Sequence, residues 1–108
     1  MSCTLRLQRD EDDIHNNCLY LFDGITYNLS PMFREATGHR FADLEGMTGA
    51  QVFTILRRGL VELVSSPDVY KALNPENGWG DYEGLVDVMA KAVVTAVSNL
   101  DAVVVFYG

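Results

Sequence analysis

The residues of this chain best equipped to hold a small molecule are consecutive: Asn74-Pro75-Glu76-Asn77-Gly78-Trp79-Gly80-Asp81-Tyr82-Glu83-Gly84. The single tryptophan stands between two glycines, with amides and carboxylates on either side. An indole face stacks on a nucleobase with roughly 1–3 kcal/mol per base, and Tyr82 offers a second ring. Asn74, Asn77 and Asp81 supply hydrogen-bonding groups, and the run ends where a helix begins, with free N–H groups that can receive an anion. The same residues also have local explanations. Asn and Asp serve turns and helix caps for backbone reasons, and a loop tryptophan can fold back as a lid on the core. Neither a turn nor a cap requires an indole, so the expectation is that any pocket has Trp79 on its wall or its lid.

Tyr27-Asn28, followed by Ser30-Pro31-Met32, is a second constellation at the junction of a strand and a helix, where binding groups often sit. Tyr27 and Asn28 are the second-choice contacts. The glycine-rich run contains no Lys or Arg, so a heavily phosphorylated ligand would draw on Arg34, Arg40, Arg57, Arg58 or Lys71 from elsewhere. No carboxylate pair, His-x-x-x-His, Gly-x-Ser-x-Gly or cysteine–histidine–acid order points to catalysis. Cys3 and Cys18 form no Cys-x-x-Cys pair, and His15 and His39 have no ligand-like spacing to them. No metal and no cofactor is expected, and the reading leans away from an enzyme.

The elements that must position these groups follow from periodicity. Residues 3–8 alternate as a half-buried strand, with Cys3, Leu5 and Leu7 on one face. Cys18 to Phe22 reads as a second strand. Asp23-Gly24 then favours a hairpin turn into a third strand over Ile25 to Asn28, against a single long strand bulged at Gly24. Ser30 reads as the cap of a short helix with Pro31 at its first position, ended by Gly38. Thr48 caps a helix over 49–65, with Val52, Phe53, Leu56, Leu60, Leu63 and Val64 on one stripe. Gly59 within it marks a close approach. Pro67 starts another turn, stopped at Asn74-Pro75. Asp81 caps a helix over 82–98 whose inner face carries Leu85, Val88, Met89, Ala92, Val93, Ala96 and Val97. Ala102 to Tyr107, lacking alternation, reads as a strand buried on both faces. Together these predict a single α+β domain over 1–108: a small, mostly antiparallel sheet of amino-terminal strands and the carboxy-terminal strand, with two main helices on one face.

Charge narrows the partners. With 108 residues, 48% of them hydrophobic, the chain needs no disulfide or metal to hold a core. A net charge of −7, part of it in Asp10-Glu11-Asp12-Asp13, argues against direct binding of nucleic acid through its phosphates. No apolar stretch approaches the roughly 20 residues of a membrane span, and the amino terminus has no signal pattern. A cytoplasmic protein with reduced thiols is expected. The last helix is apolar over more than half its circumference, which points to a homo-oligomer.

The Asn-Gly-Trp-Gly-x-Tyr core, with Tyr27-Asn28, Pro31-Met32 and Leu44-x-Gly46-Met47, resembles a family of small proteins encoded by bacteriophages and their hosts. The likeness spans residues 25 to 108. It implies a phage accessory protein in the host cytoplasm that counters host defence, either by sequestering a nucleotide-derived signal or by inhibiting a host protein through acidic and aromatic groups. An enzyme acting on the signal is the third reading.

Overall fold

The computed structural model describes residues 1–9 and 19–108. The acidic run at 10–13, His15 and Cys18 lie outside them. Strands β1 (Ser2–Gln8), β2 (Tyr20–Thr26) and β3 (Val103–Tyr107) form one antiparallel sheet in the order β2-β1-β3. Helices α1 (Ser30–Thr37), α2 (Gly49–Ser65), α3 (Pro67–Lys71) and α4 (Tyr82–Val97) complete the α+β fold, with short 3₁₀ turns at Tyr27–Leu29 and Phe41–Leu44. No helix among the described residues is long and apolar enough to cross a membrane.

The expected alternation of β1 sets which face of the sheet meets the helices. Cys3, Leu5 and Leu7 are buried in the core. Thr4 and Arg6 share the opposite face with Tyr20 and Tyr107, and the Arg6 guanidinium lies 5.1 Å from the Tyr20 ring centre. Phe22, Phe33 and Phe41 form an aromatic nucleus, with ring centres 4.4 Å apart for Phe33 and Phe41 and 5.8 Å apart for the two edge-on pairs. Such pairs add roughly 0.5–1.5 kcal/mol each beyond area burial.

Helices α2 and α4 pack antiparallel. A Cβ on Gly59 would lie 3.0 Å from Met89 Cε and closer still to Thr37 Cγ2, so the predicted close approach at Gly59 is real and serves both α4 and α1. Thr48 caps α2 reciprocally: its Oγ1 accepts from the Gln51 N–H at 3.2 Å, and Gln51 Oε1 accepts from the Thr48 N–H at 2.9 Å.

Several expectations are corrected. Asp23-Gly24 is no hairpin turn, and Ile25 to Asn28 is no third strand. Cys3 faces Ile25 while Leu5 faces Phe22, so β2 carries an extra residue opposite Thr4 and runs on as one bulged strand. The Gly24 N–H donates to Thr4 Oγ1 at 3.1 Å and holds the bulge. Strand β3 is an edge strand, not one buried on both faces: Val103 and Tyr107 are exposed. Its outer edge is covered instead by the 45–48 loop. There Val104 N donates to Met47 O at 2.8 Å, Gly46 N donates to Val104 O at 2.9 Å, and the Glu45 carboxylate accepts from Phe106 N. Ser30 is the first residue of α1 rather than its side-chain cap, because the preceding 3₁₀ turn leads directly into the helix. Val64 and Val97, assigned to inner stripes, point outward at 53% and 46% exposure, at the ends of helices whose neighbours no longer cover them.

Candidate functional site

The fold brings the two sequence constellations together. Gly80 sits against the Thr26–Leu29 turn so closely that an added Cβ would lie 2.9 Å from both Leu29 Cγ and Thr26 Cγ2. Gly78 and Gly80 hold φ of 77° and 91°, conformations that other residues rarely adopt. The tight loop they allow drops the start of α4 onto the strand-to-helix junction that carries Tyr27 and Asn28.

Within the loop, most of the polar side chains serve the backbone. Asn74 Oδ1 accepts from the Tyr82 N–H at 2.8 Å, Asn77 Oδ1 from the Trp79 N–H at 3.0 Å, and Asp81 Oδ1 from the Gly84 N–H at 2.7 Å. Asp81 is thus the N-cap of α4, as its position predicts. Replacing Asp81 with alanine should cost about 1 kcal/mol of stability, read as a shift in the urea midpoint. Tyr82 is buried, its hydroxyl donating to Leu63 O at 2.6 Å and its ring 5.5 Å from Lys71 Nζ. It anchors α4 to α2 and presents no free face for stacking. Asn28 is exposed and lines none of the four clefts described below.

Trp79 is 70% exposed. It is neither a lid on the core nor the wall of any of the four clefts. The pocket expected at Trp79 is not among these four clefts. Glycines on both sides leave the indole without a neighbouring side chain to fold against, and the loop directs it to solvent.

Tyr27 is the predicted residue that does line a substantial cleft. This space of about 510 Å³ is bounded by Tyr27, Ser30, Pro31, Arg34, Arg40, Phe41, Ala42 and Phe106. Its lining is mostly apolar, with Tyr27 and Phe106 as its half-buried rings and the edge of the buried Phe41, and Arg34 and Arg40 belong to the same lining. Burial raises the Tyr27 phenol above its ordinary pKa, and the Cys3 thiol beside it adds to the rise, so Tyr27 is a neutral hydroxyl at physiological pH. Arg40, one of the lining residues, is paired with Asp43, and its hydrogen bonds hold the Asp43 carboxyl below its ordinary pKa. The chain matches no protein-family model, no curated protein and no solved structure.

The other clefts are less suited to a ligand. One of about 680 Å³, between the end of α1 and α2, sets Arg57, Arg58 and His39 near Glu35 and Glu62, with Ala36, Ile55 and Val61 making its lining about as apolar as polar. A cleft of about 240 Å³ lies between the β2 bulge and Gly80-Asp81. Ligand pockets combine an apolar lining with a few oriented polar groups, and the Tyr27 cleft fits that description best. Among the described residues no cluster of three His, Cys, Asp or Glu side chains could hold a metal ion.

Reading along the chain did not assemble this cleft. In residue order Arg34 and Arg40 are only distant sources of positive charge, and Phe106 is part of a strand. Its lining comes from three separated segments, 27–34, 40–42 and 106, and no local pattern links them.

Proposed function

We propose that this chain is a non-enzymatic binding protein that takes a small, planar, anionic molecule of the nucleotide class into the Tyr27 cleft. The observation that carries this reading is the joining of Tyr27, Phe41 and Phe106 with Arg34 and Arg40 around one space of about 510 Å³. The half-buried rings of Tyr27 and Phe106 favour a flat ring system, and a guanidinium in the same lining favours a phosphate or carboxylate. The resemblance to phage-encoded proteins supplies the biological setting: sequestration of such a molecule in the host cytoplasm, as a counter-defence. Self-association through the broadly apolar α4 would let one assembly offer several such clefts.

Calorimetry against a panel of cyclic and linear nucleotides tests the reading. Tyr27→Ala should weaken binding about tenfold or more, the worth of one stacking contact, while Trp79→Ala leaves it unchanged. A well-folded wild-type protein that binds no member of the panel would rule the reading out.

A second reading rests on the exposed Trp79. Tryptophan is enriched among the residues that dominate protein–protein affinity, and an indole held outward by two glycines suits an inhibitor of a host protein. Under that reading Trp79→Ala abolishes counter-defence and Tyr27→Ala spares it, the reverse of the pattern expected for ligand sequestration.

A further inference from the structure

We infer that the Tyr27 cleft selects a ligand with a single anionic group: a nucleoside carrying one phosphate, cyclic or linear, rather than a polyphosphate. The inference rests on the small-molecule reading above and comes from counting which of its charges are already engaged. Arg40 is occupied. Its Nη2 lies 3.0 Å from Asp43 Oδ1 and its Nε 3.4 Å from Asp43 Oδ2, and the same Oδ2 accepts from the Arg40 backbone N–H at 2.9 Å. That backbone bond fixes the carboxylate at the start of the Phe41–Leu44 turn, so the pair is held from both ends. Arg40 and Asp43 together bring no net charge to the cleft.

Arg34 differs. It projects from the last turn of α1 and is exposed, and among the described residues its side chain has no hydrogen bond or ion pair. Its planar fork of N–H donors matches two oxygens of one phosphate or carboxylate. The cleft therefore offers one uncompensated positive charge beside the rings of Tyr27 and Phe106, in a protein of net charge −7. A second and third phosphate would find no cation and would meet the repulsion of that excess negative charge. The volume suits one ring system with its sugar, within the range of small-molecule pockets of roughly 300–1,000 Å³.

Calorimetry at physiological ionic strength, with a nucleoside and its 3′,5′-cyclic monophosphate, 5′-monophosphate, diphosphate and triphosphate, tests this. The cyclic or linear monophosphate should bind about tenfold tighter than both the neutral nucleoside and the triphosphate, the effect of one charge-assisted bidentate contact. Comparing the cyclic and linear arms separates a diester from a monoester ligand. Arg34→Gln should bring the monophosphate down to the level of the nucleoside. Asp43→Asn keeps an acceptor for the Arg40 N–H but frees its guanidinium, so it should raise affinity for the diphosphate. Thermal denaturation of each variant confirms that it is folded. If the triphosphate binds wild type tightest, or if Arg34→Gln leaves the preference among phosphates unchanged, the single-anion inference is overturned while the small-molecule reading stands. If no arm of the series binds, that reading falls and takes this inference with it.

Discussion

Replacing Gly49 with alanine is expected to lower the melting temperature by roughly 12–24 °C, the equivalent of about 3 kcal/mol in a domain near 100 residues. Gly49 is the first residue of α2 and is buried. The segment joining α4 to β3 passes directly over it. A Cβ there would lie 2.8 Å from the Asn99 carbonyl carbon and 2.9 Å from Leu100 Cα, with the Asn99 oxygen nearer still. These are backbone atoms, so no rotamer change relieves the clash. The two chains are also tied at this point. The Gly49 N–H donates to Ala102 O at 2.7 Å and the Ala50 N–H to Leu100 O at 3.0 Å. Those bonds satisfy amides at the N-terminus of α2 that have no partner within the helix. A methyl group must push the segments apart, adding an overpacking cost of about 1–3 kcal/mol to about 1–3 kcal/mol for each buried amide left unpaired. Total stability of such a domain is only about 5–15 kcal/mol, so a large share is at stake. Ala50→Ser, one residue along and exposed, should stay within about 0.5 kcal/mol. Differential scanning calorimetry of both variants decides the matter, and an unchanged melting temperature for Gly49→Ala would refute this account of the crossing.

Gly80→Ala should cost about 2–5 kcal/mol and also weaken the binding proposed for the Tyr27 cleft, although Gly80 lies outside that cleft. Two costs add. At φ of 91° an alanine is strained by about 1–2 kcal/mol. Its methyl would also meet Leu29 Cγ and Thr26 Cγ2 at 2.9 Å and Leu29 Cδ1 at 3.2 Å, an overpacking term of about 1–3 kcal/mol. Leu29 and Thr26 flank Tyr27, so a loop lifted from this turn disturbs the residue on which the cleft depends. Gly78→Ala is the internal control. It has a similar φ of 77° but nothing within 4 Å of the added carbon, so only the conformational cost applies. The difference between the two variants in urea denaturation therefore isolates packing of the loop on the turn. Equal destabilisation would mean that the loop is held by its backbone conformation alone. Unchanged binding by a folded Gly80→Ala would show that the turn holds Tyr27 without the loop.

Much of the architecture was legible in residue order because its causes are local. Thr48 capped α2, Asp81 capped α4, and alternation in β1 assigned its two faces, each through forces acting within a few residues. Where the outcome depended on a neighbour, sequence reading failed. Asp23-Gly24 has hairpin chemistry, but pairing with β1 on both sides of it turned a nominal turn into a bulge. Ala102 to Tyr107 has the composition of a central strand, yet only β1 lies beside it, and the 45–48 loop takes the other edge.

The site divides in the same way. By itself the sequence determined that residues 74–84 would be a glycine-hinged junction with a capped helix at its end, because positive φ and side-chain caps are properties of short segments. It also determined that no local motif supplied a phosphate-binding loop or a catalytic set. Only the tertiary structure decided which predicted residue faces a usable cavity. Tyr82 was drawn into the core by the Leu63 carbonyl, Trp79 was turned to solvent, and Tyr27 was joined to Phe41, Phe106, Arg34 and Arg40 from distant parts of the chain. A cavity is the space that several packed segments leave unfilled, and no one segment encodes that space on its own.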